Sequence, residues 1–344
     1  MKNFWKRTVP AAGLAAGLLA AVGCRATFTN PVIAEDWPDP AVWQGEDGAF
    51  YSVATGLKTI RTSRDLIDWT DLGKNPLTPE AAATLRAISP NWWAPCVKRL
   101  DGKWVLYISH LNTDLDCFVS VLVSDSETGP FRFVRKIVDG RALGIENTID
   151  PFVVEDAGRV WMFFGSDQDG IHRVELTSDG LDVKPGSAPV HVAGLRKKVP
   201  CRSQWGEPGC WEGSYLHRHG GSWYLFCSGG RYDNGTYHLV VGRSDRIDGV
   251  FVDREGRLMT AGLAAPILAS EAGDRFVGPG HNGEVFTSSD GREWMFFHAH
   301  DATMPKISDR PTLLQELKWT SDGWPYFEDG RPRLREERFK AAGL

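Results

Sequence analysis

The sequence lacks an excess of basic residues, since its 344 residues carry a formal net charge of −5 at pH 7. Nucleic-acid-binding proteins usually present a basic patch or stripe, and no long basic run occurs beyond the first residues. We therefore expect no nucleic-acid partner. The chain also lacks a CxxC pair and any cysteine–histidine spacing typical of zinc sites.

Cysteine is scarce, with six in the whole chain. Five of them follow Cys24, and an odd number leaves at least one free thiol. Cys201 and Cys210 lie close together in a segment that contains glycine and proline, which makes them the candidate disulfide pair.

Long hydrophobic runs are also missing beyond the N-terminus, where residues 11–22 are too short to span a bilayer. This run follows three basic residues, which is the pattern of an export signal. It ends in Ala-Val-Gly-Cys24, which is similar to a bacterial lipobox. We predict that residues 1–24 are a signal peptide ending at a lipidated Cys24, which would place the protein in the bacterial cell envelope. The alternative is an ordinary signal peptide and a periplasmic or secreted protein.

The chain is rich in tryptophan and glycine, with 14 and 37 residues respectively, and it contains a repeat. Five segments share a short strand, a glycine-bearing turn and an aromatic-rich strand, which is a β-hairpin pattern. The segments begin at Asp39, Ala94, Asp150, Glu212 and His281. Their starts are roughly 55 to 70 residues apart, somewhat above the period of common propeller repeats. We predict an all-β fold, a five-bladed β-propeller with four antiparallel strands per blade, over residues 25–344 as one domain. A β-helix would need short coils of near-constant length, which are absent.

The innermost strands of a propeller line its central channel, so the first residues of the five repeats should converge there. Three of these five residues are the carboxylates Asp39, Asp150 and Glu212. Three negative charges placed close together in the channel repel one another and destabilise the folded protein, so such an arrangement indicates a function. The alternative is that these carboxylates are turn residues at the starts of strands. It accounts poorly for three carboxylates at the same position of the repeat. Two carboxylates flanking a bond are the equipment of glycoside hydrolysis, and a third can raise the pKa of the acid.

Around these residues the sequence resembles glycoside hydrolase family 43, the five-bladed arabinanases, arabinofuranosidases and xylosidases, over about residues 30–327. The motifs that carry the resemblance are Trp37-Pro-Asp-Pro-Ala-Val42, Trp92-Trp-Ala-Pro95, Asn147-Thr-Ile-Asp-Pro151, Glu212-Gly-Ser-Tyr-Leu216 and Gly278-Pro-Gly-His-Asn282. The resemblance implies that Asp39 is the general base, Glu212 the general acid and Asp150 the modulator of the acid's pKa.

The resemblance also implies a set of substrate-binding residues, for some of which blade packing or simple surface exposure is the alternative. These candidates are Trp92, Trp93, Asn147, Ser166, Trp211 and Arg310. His281 resembles the axial histidine that coordinates a calcium-centred cluster in arabinanases, and its alternative is a hydrogen-bonded core histidine. Cleavage itself needs no cofactor, so a calcium ion would be structural or would set the field around the acid.

We predict a monomeric, inverting hydrolase of α-L-arabinofuranosyl linkages in an arabinan-like plant oligo- or polysaccharide. Exo-acting arabinofuranosidase or β-xylosidase activity is the alternative within the family. A catalytically inactive carbohydrate-binding surface lipoprotein is the alternative from another class, although a binder does not need all three carboxylates. A retaining, sucrose-splitting propeller is disfavoured because its usual Asn-Asp-Pro-Asn-Gly and Arg-Asp-Pro segments are missing. Inversion predicts that the carboxyl groups of Asp39 and Glu212 lie about 6.5–9.5 Å apart.

Overall fold

The protein was analysed as a computed structural model that describes residues 26–196, 209, 211–306 and 309–340. Five antiparallel sheets, formed in sequence order, are arranged as the blades of a five-bladed β-propeller. The predicted fold class is therefore confirmed. Cys24 and the Cys201–Cys210 pair lie outside the described residues. Cys96, Cys117 and Cys227 are buried free thiols, as an odd number of cysteines requires.

Each blade is a meander in which consecutive strands pair antiparallel. A short strand, β1 (Thr27–Thr29), precedes the blades. Blade 1 comprises β2 (Ala41–Gln44), β3 (Phe50–Val53), β4 (Arg61–Ser63) and β5 (Trp69–Asp71). Blade 2 comprises β6 (Trp93–Leu100), β7 (Lys103–Leu111), β8 (Cys117–Ser124) and β9 (Arg132–Asp139). Blade 3 comprises β10 (Phe152–Asp156), β11 (Arg159–Ser166), β12 (Gly170–Leu176) and β13 (Val190–Ala193).

The last two blades complete the ring. Blade 4 comprises β14 (Trp211–His219), β15 (Ser222–Gly229) and β16 (His238–Ser244). Blade 5 comprises β17 (Phe276–Gly280), β18 (Val285–Thr287), β19 (Glu293–Asp301), β20 (Thr312–Trp319) and β21 (Pro325–Tyr326), and β22 (Arg335–Glu337) follows it. Helix α1 (Pro79–Ile88) connects blades 1 and 2, and α2 (Gly140–Leu143) connects blades 2 and 3. No described helix is both long and apolar enough to cross a membrane.

The number of strands per blade departs from the prediction in two places. Blades 1 to 3 have four strands each, as predicted. Within the described residues blade 4 has three, and beyond β16 its outer edge makes only single bridges, from Leu239 to Leu268 and from Arg243 to Val252. In blade 5 the innermost strand is divided into β17 and β18, which both pair with β19.

The second strand of each blade is almost entirely apolar, because both of its faces are covered by neighbouring blades. Residues 105–108 of β7, for example, are completely buried. Such strands read as continuous hydrophobic runs rather than as alternating ones. Most of the large aromatic side chains are used in this packing, including Trp104, Trp161 and Trp294.

The ring is closed by the two ends of the described chain. Strand β1 pairs antiparallel with β22, and Phe28 packs against Trp294 and Phe339 with ring centroids 5.9 and 6.3 Å apart. The side-chain amide of Asn30 donates to the carbonyl oxygens of Leu314 and Arg333, at 3.0 and 2.9 Å. Blade 5 is thereby joined to blade 1 without a strand from one blade entering the other's sheet.

Candidate active site

In each blade one residue in or close to the inner strand has a left-handed backbone conformation. The five residues and their φ angles are Asp39 (54°), Ala94 (43°), Asp150 (58°), Gly213 (60°) and His281 (43°). The fourth position therefore belongs to Gly213, and Glu212 lies one residue before it. The repeat as predicted placed Glu212 at this position, one residue out of register. Glycine adopts positive φ without steric cost, so its presence after Glu212 was the signal for the correct register.

Side chains of the preceding blade hold three of these backbone positions. The N–H groups of Ala94, Asp150 and His281 donate to hydroxyl oxygens at 2.7 to 2.9 Å, and the acceptors are Thr55, Ser109 and Ser228. Each acceptor comes from the second strand of a blade or from the residues that directly follow it. The two remaining junctions between blades have a residue without a hydroxyl group at this position, and both lie beside the carboxylates.

At the junction of blades 3 and 4, Gly165 stands where blades 1, 2 and 4 have a hydroxyl residue. A side chain is excluded there, because an added Cβ would lie 2.1 Å from the carbonyl oxygen of Gly170. The N–H of Gly213 instead donates to Oδ2 of Asp150 at 3.2 Å. At the junction of blades 5 and 1 the corresponding residue is His298, whose Nδ1 accepts from the backbone N–H of Asp39 at 3.1 Å and lies 3.2 Å from Oδ1 of the same residue.

The three predicted carboxylates meet in one pocket of about 160 Å³ at the channel mouth. Their convergence, predicted from the repeat, is confirmed. The residues that line the pocket are Asp39, Thr55, Trp93, Ile149, Asp150, Glu212, Tyr232, His281 and Arg310.

Asp39 is buried and surrounded by hydrogen-bond donors. Its Oδ1 lies 3.2 Å from Nδ1 of His281 and 3.3 Å from Nη1 of Arg310, and its Oδ2 accepts from the Thr55 hydroxyl at 2.5 Å. Burial on its own would raise the pKa of Asp39, but His281, Arg310 and His298 together hold it well below the usual range. Asp39 is therefore ionised at neutral pH.

His298 is a neutral partner of this carboxylate. Its complete burial, together with the nearby charge of Arg310, lowers its pKa to about 3. Nη1 of Arg310 lies 3.3 Å from Nε2 of His298.

The pKa of Glu212 is shifted in the opposite direction to that of Asp39. Its carboxylate accepts from the Tyr237 hydroxyl at 2.6 Å and from the Ser166 hydroxyl at 2.8 Å. Burial raises the pKa of Glu212 above its ordinary value even though these two hydrogen bonds oppose the shift, and the charge of Asp167 raises it further.

Asp150 lies between the other two carboxylates. Its Oδ2 lies 3.9 Å from Nδ1 of His281. Burial raises the pKa of Asp150 well above its usual range, and the charges of Glu212 and Asp39 add to the shift. Two coupled carboxylates in one site disfavour double ionisation. The pocket thus contains one carboxylate with a lowered pKa, Asp39, beside two whose pKa values are raised.

The predicted substrate-binding residues fall into two groups. Trp93 and Arg310 line the pocket, and the guanidinium of Arg310 lies over the Tyr232 ring, 4.3 Å from its centroid. Ser166 contacts Glu212, and Asn147 donates to Oδ1 of Asp167 at 2.6 Å, so both lie behind the carboxylates.

Trp92 and Trp211 are not among the described residues that line the pocket. The Trp92 indole donates to the Ser89 carbonyl at 3.1 Å and packs against the core between blades 1 and 2. Trp211 is 2% exposed and belongs to the main core. Their contacts are those of the blade-packing alternative.

Four site residues were not predicted: Thr55, Tyr232, Tyr237 and His298. Thr55 and His298 occupy the position that Ser109 and Ser228 have in their blades, so extending the repeat to the second strands would have located both. Tyr232 and Tyr237 follow β15 outside the repeated segment, and no local pattern distinguishes them from other tyrosines.

The surroundings of His281 fit the calcium ion that the resemblance implies. A cavity of about 20 Å³ below the pocket is bordered by Asp39, Asp150, Ser214, His281 and Asn282, among others. The buried oxygens Oγ of Ser214 and Oδ1 of Asn282 have no hydrogen-bond partner. Carboxylate, amide and hydroxyl oxygens are the donors that calcium prefers.

A propeller with three carboxylates in its axial pocket, one with a lowered pKa and two with raised pKa values, has the equipment of a glycoside hydrolase. Residues 28–325 match the model for glycosyl hydrolases family 43, and the chain belongs to that family. Over 310 residues it is 28% identical to the extracellular exo-α-(1→5)-L-arabinofuranosidase ArbA of Cellvibrio japonicus, covering 86% of this chain and 87% of that one. It is also 28% identical to the extracellular endo-α-(1→5)-L-arabinanase 1 of Bacillus subtilis, covering 95% and 99%.

Solved structures give the same result. The α-L-arabinanase of Cellvibrio cellulosa complexed with arabinohexaose superposes with a TM-score of 0.71 and 26% identity, covering 86% of this chain and 96% of that one. The chain is therefore a family 43 glycoside hydrolase, as the sequence motifs predicted.

Proposed function

We propose that this enzyme hydrolyses α-L-arabinofuranosyl linkages in arabinan-like plant polysaccharide with inversion of configuration, acting as a monomer through residues 25–344. The observation that carries the reaction type is the convergence of three carboxylates in one pocket, where the surroundings lower the pKa of Asp39 and raise the pKa values of Asp150 and Glu212. The substrate rests on the relatives, whose names specify α-(1→5)-L-arabinofuranosidase and arabinanase activity.

Asp39 is the general base in this proposal. A base must be ionised to take a proton from the attacking water, and His281, Arg310 and His298 keep Asp39 ionised. The hydroxyl of Thr55 fixes Oδ2. The carboxylate therefore has a defined orientation before substrate binds, which reduces the reorganisation needed in the transition state.

Glu212 is the general acid and Asp150 its modulator. Burial and neighbouring negative charge keep a proton on this pair at neutral pH, and that proton is available to the leaving oxygen. Ser166 and Tyr237 hold the two oxygens of Glu212 in place, and Asn147 positions Asp167 behind it. Trp93 and Arg310 are the pocket residues placed to contact the sugar.

The experiment that tests the substrate is a hydrolysis screen on linear arabinan, arabinoxylan, and nitrophenyl arabinofuranoside and xyloside. We expect hydrolysis of linear arabinan. Release of arabinose alone from the first time points would indicate exo action, and mixed oligosaccharides would indicate endo action. Cleavage restricted to the xyloside would replace the proposal by β-xylosidase activity, and binding of arabinan without any hydrolysis would indicate an inactive carbohydrate-binding protein.

Asp150→Asn tests the modulator. The acid works only while protonated, so activity is lost as pH rises through the pKa of Glu212. Because Asp150 and Glu212 lose their protons as a coupled pair, the charge left by the first deprotonation raises the pKa of the second. Replacing Asp150 removes that charge, and we expect the alkaline limb of kcat/KM against pH to move to lower pH. Asp245→Asn, at an exposed position, is the matched control. An alkaline limb at the wild-type pH would show that Asp150 does not tune the acid.

The N-terminal segment is proposed to export the protein and to anchor it through a lipid on Cys24. The proposal rests on the Ala-Val-Gly-Cys24 motif, and the relatives described as extracellular support export. Cys24→Ala should abolish lipid labelling and move the protein from the membrane fraction to the soluble one. Unchanged membrane association would contradict the anchor, and exported but unlabelled wild-type protein would indicate a periplasmic or secreted form.

A calcium ion is proposed near His281, with Ser214 and Asn282 supplying oxygen donors to it or to its waters. A bound cation would add positive charge beside Asp39 and Asp150. Chelation should therefore lower the melting temperature or the activity, and calcium should restore it. The calcium proposal would be contradicted if elemental analysis found no calcium in the protein and chelator had no effect.

A further inference from the structure

A second cluster of metal-ligating side chains lies between blades 4 and 5, away from the carboxylate pocket. It consists of His217 and His219 near the end of β14 and Glu293 at the start of β19. Because side chains two apart on a strand point to the same face, both histidines face the neighbouring blade. One ligand atom of each residue lies within 4.8 Å of those of the other two.

The distances within the cluster match those of a tetrahedral zinc site. Nε2 of His217 lies 3.1 Å from Oε2 of Glu293, and Nδ1 of His219 lies 3.2 Å from Oε1. Zinc–nitrogen and zinc–oxygen bonds of about 2.0–2.2 Å place neighbouring ligand atoms roughly 3.4 Å apart around a tetrahedron. The two histidine nitrogens contact different oxygens of Glu293, and the three ligand atoms lie within 4.8 Å of one another. Binding an ion would bring them together by roughly 1.4 Å at most.

The surroundings fix the ligands in orientation. The indole N–H of Trp319 donates to Oε2 of Glu293 at 2.8 Å. The His219 ring stacks on Trp319 with centroids 3.7 Å apart and planes 5° from parallel. Outer groups that orient a ligand are typical of metal sites. The side chains of His217 and His219 are 15% and 33% exposed, so solvent can supply a fourth ligand.

We propose that His217, His219 and Glu293 form a zinc-binding site that joins the inner strand of blade 4 to blade 5. The site is separate from the catalytic pocket. Glu212 and His298 stand at the pocket ends of the same two strands, β14 and β19, while the cluster occupies the opposite ends. Seven residues of strand separate Glu212 from His219, or roughly 20 Å. The ion therefore stabilises the ring and takes no part in cleavage.

The test uses the full chain, stripped with chelator, freed of it, resupplied with Ca²⁺ and then titrated with Zn²⁺. We expect one Zn²⁺ per chain, a melting temperature raised by roughly 5 °C at a hundredfold excess over Kd, and unchanged hydrolysis. Co²⁺ in place of Zn²⁺ should give the intense visible absorption of four-coordinate cobalt, which a hydrogen-bonded cluster without metal would not produce.

Variants locate the site. His217→Gln, His219→Gln and Glu293→Gln should each remove the zinc-dependent shift, and Trp319→Phe should weaken binding by roughly 10–100-fold. His191→Gln, a histidine of blade 3, is the matched control and should bind as the wild type does. The proposal is overturned if the wild type shows no zinc-dependent shift and no cobalt spectrum. Zinc binding that survives in all three ligand variants would overturn it equally, by placing the ion elsewhere.

Discussion

Glu212→Gln is expected to lower kcat/KM on arabinan by about 10²–10⁴-fold, the range for loss of a general acid. The amide keeps the size of the side chain but has no proton to give to the leaving oxygen. An aryl arabinofuranoside with a strongly acidic phenol should be affected much less, because its leaving group departs without protonation. Parallel kinetics on the two substrates measure the difference.

The matched control for this variant is Glu155→Gln, at an exposed position of β10, which should retain wild-type rates on both substrates. An equal loss on arabinan and on the activated glycoside would show that Glu212 does not act as the acid. Retained activity on arabinan would exclude any direct role in the chemistry.

Asp39→Asn is expected to remove activity by a similar or larger factor, about 10²–10⁴-fold or more, on both kinds of substrate. The base acts on the attacking water, whose activation does not depend on the leaving group. The equal loss on both substrates distinguishes this variant from Glu212→Gln. Asp114→Asn, at an exposed position after β7, is the control and should leave both rates unchanged.

The stereochemistry of the wild-type reaction also tests whether Asp39 is a general base. If a water lies between Asp39 and the anomeric carbon, proton NMR should show the inverted anomer as the first product, before mutarotation. The carboxyl groups of Asp39 and Glu212 should be about 6.5–9.5 Å apart, rather than the roughly 5–5.5 Å of a nucleophile pair. A retained anomer would make Asp39 a nucleophile that forms a glycosyl-enzyme intermediate.

The five blades could be predicted because each one repeats the same hairpin, with an apolar second strand that must be covered on both faces. The convergence of Asp39 and Asp150 followed from that repeat. Glu212 was misplaced by one residue because its carboxylate was matched to Asp39 and Asp150 by residue type. Blade 2 has the same bulge around Ala94, and the residue of blade 4 that corresponds to Ala94 is Gly213.

Other parts of the site depend on contacts that the repeat does not encode. The hydrogen bond from Tyr237 to Glu212 is made by the loop between β15 and β16 of the same blade, and the contact of Arg310 with Asp39 is made where blades 5 and 1 meet. The protonation states have the same origin, since burial and neighbouring charge determine them. The tryptophans could not be assigned from residue type, because tryptophan suits both sugar stacking and core packing. Only the structure shows that Trp93 lines the pocket and that Trp211 belongs to the core.

The pairing of β1 with β22 constrains the order in which the protein assembles. The side chain of Asn30 and its partner Arg333 are 303 residues apart in sequence, so this junction cannot form until almost the whole chain has been synthesised. Contacts between such distant segments carry a large loop-closure entropy and form slowly. Until then the apolar surface around Phe28 and Trp294 stays uncovered. A chain that ends before residue 335 would leave that surface exposed permanently and would be prone to aggregate.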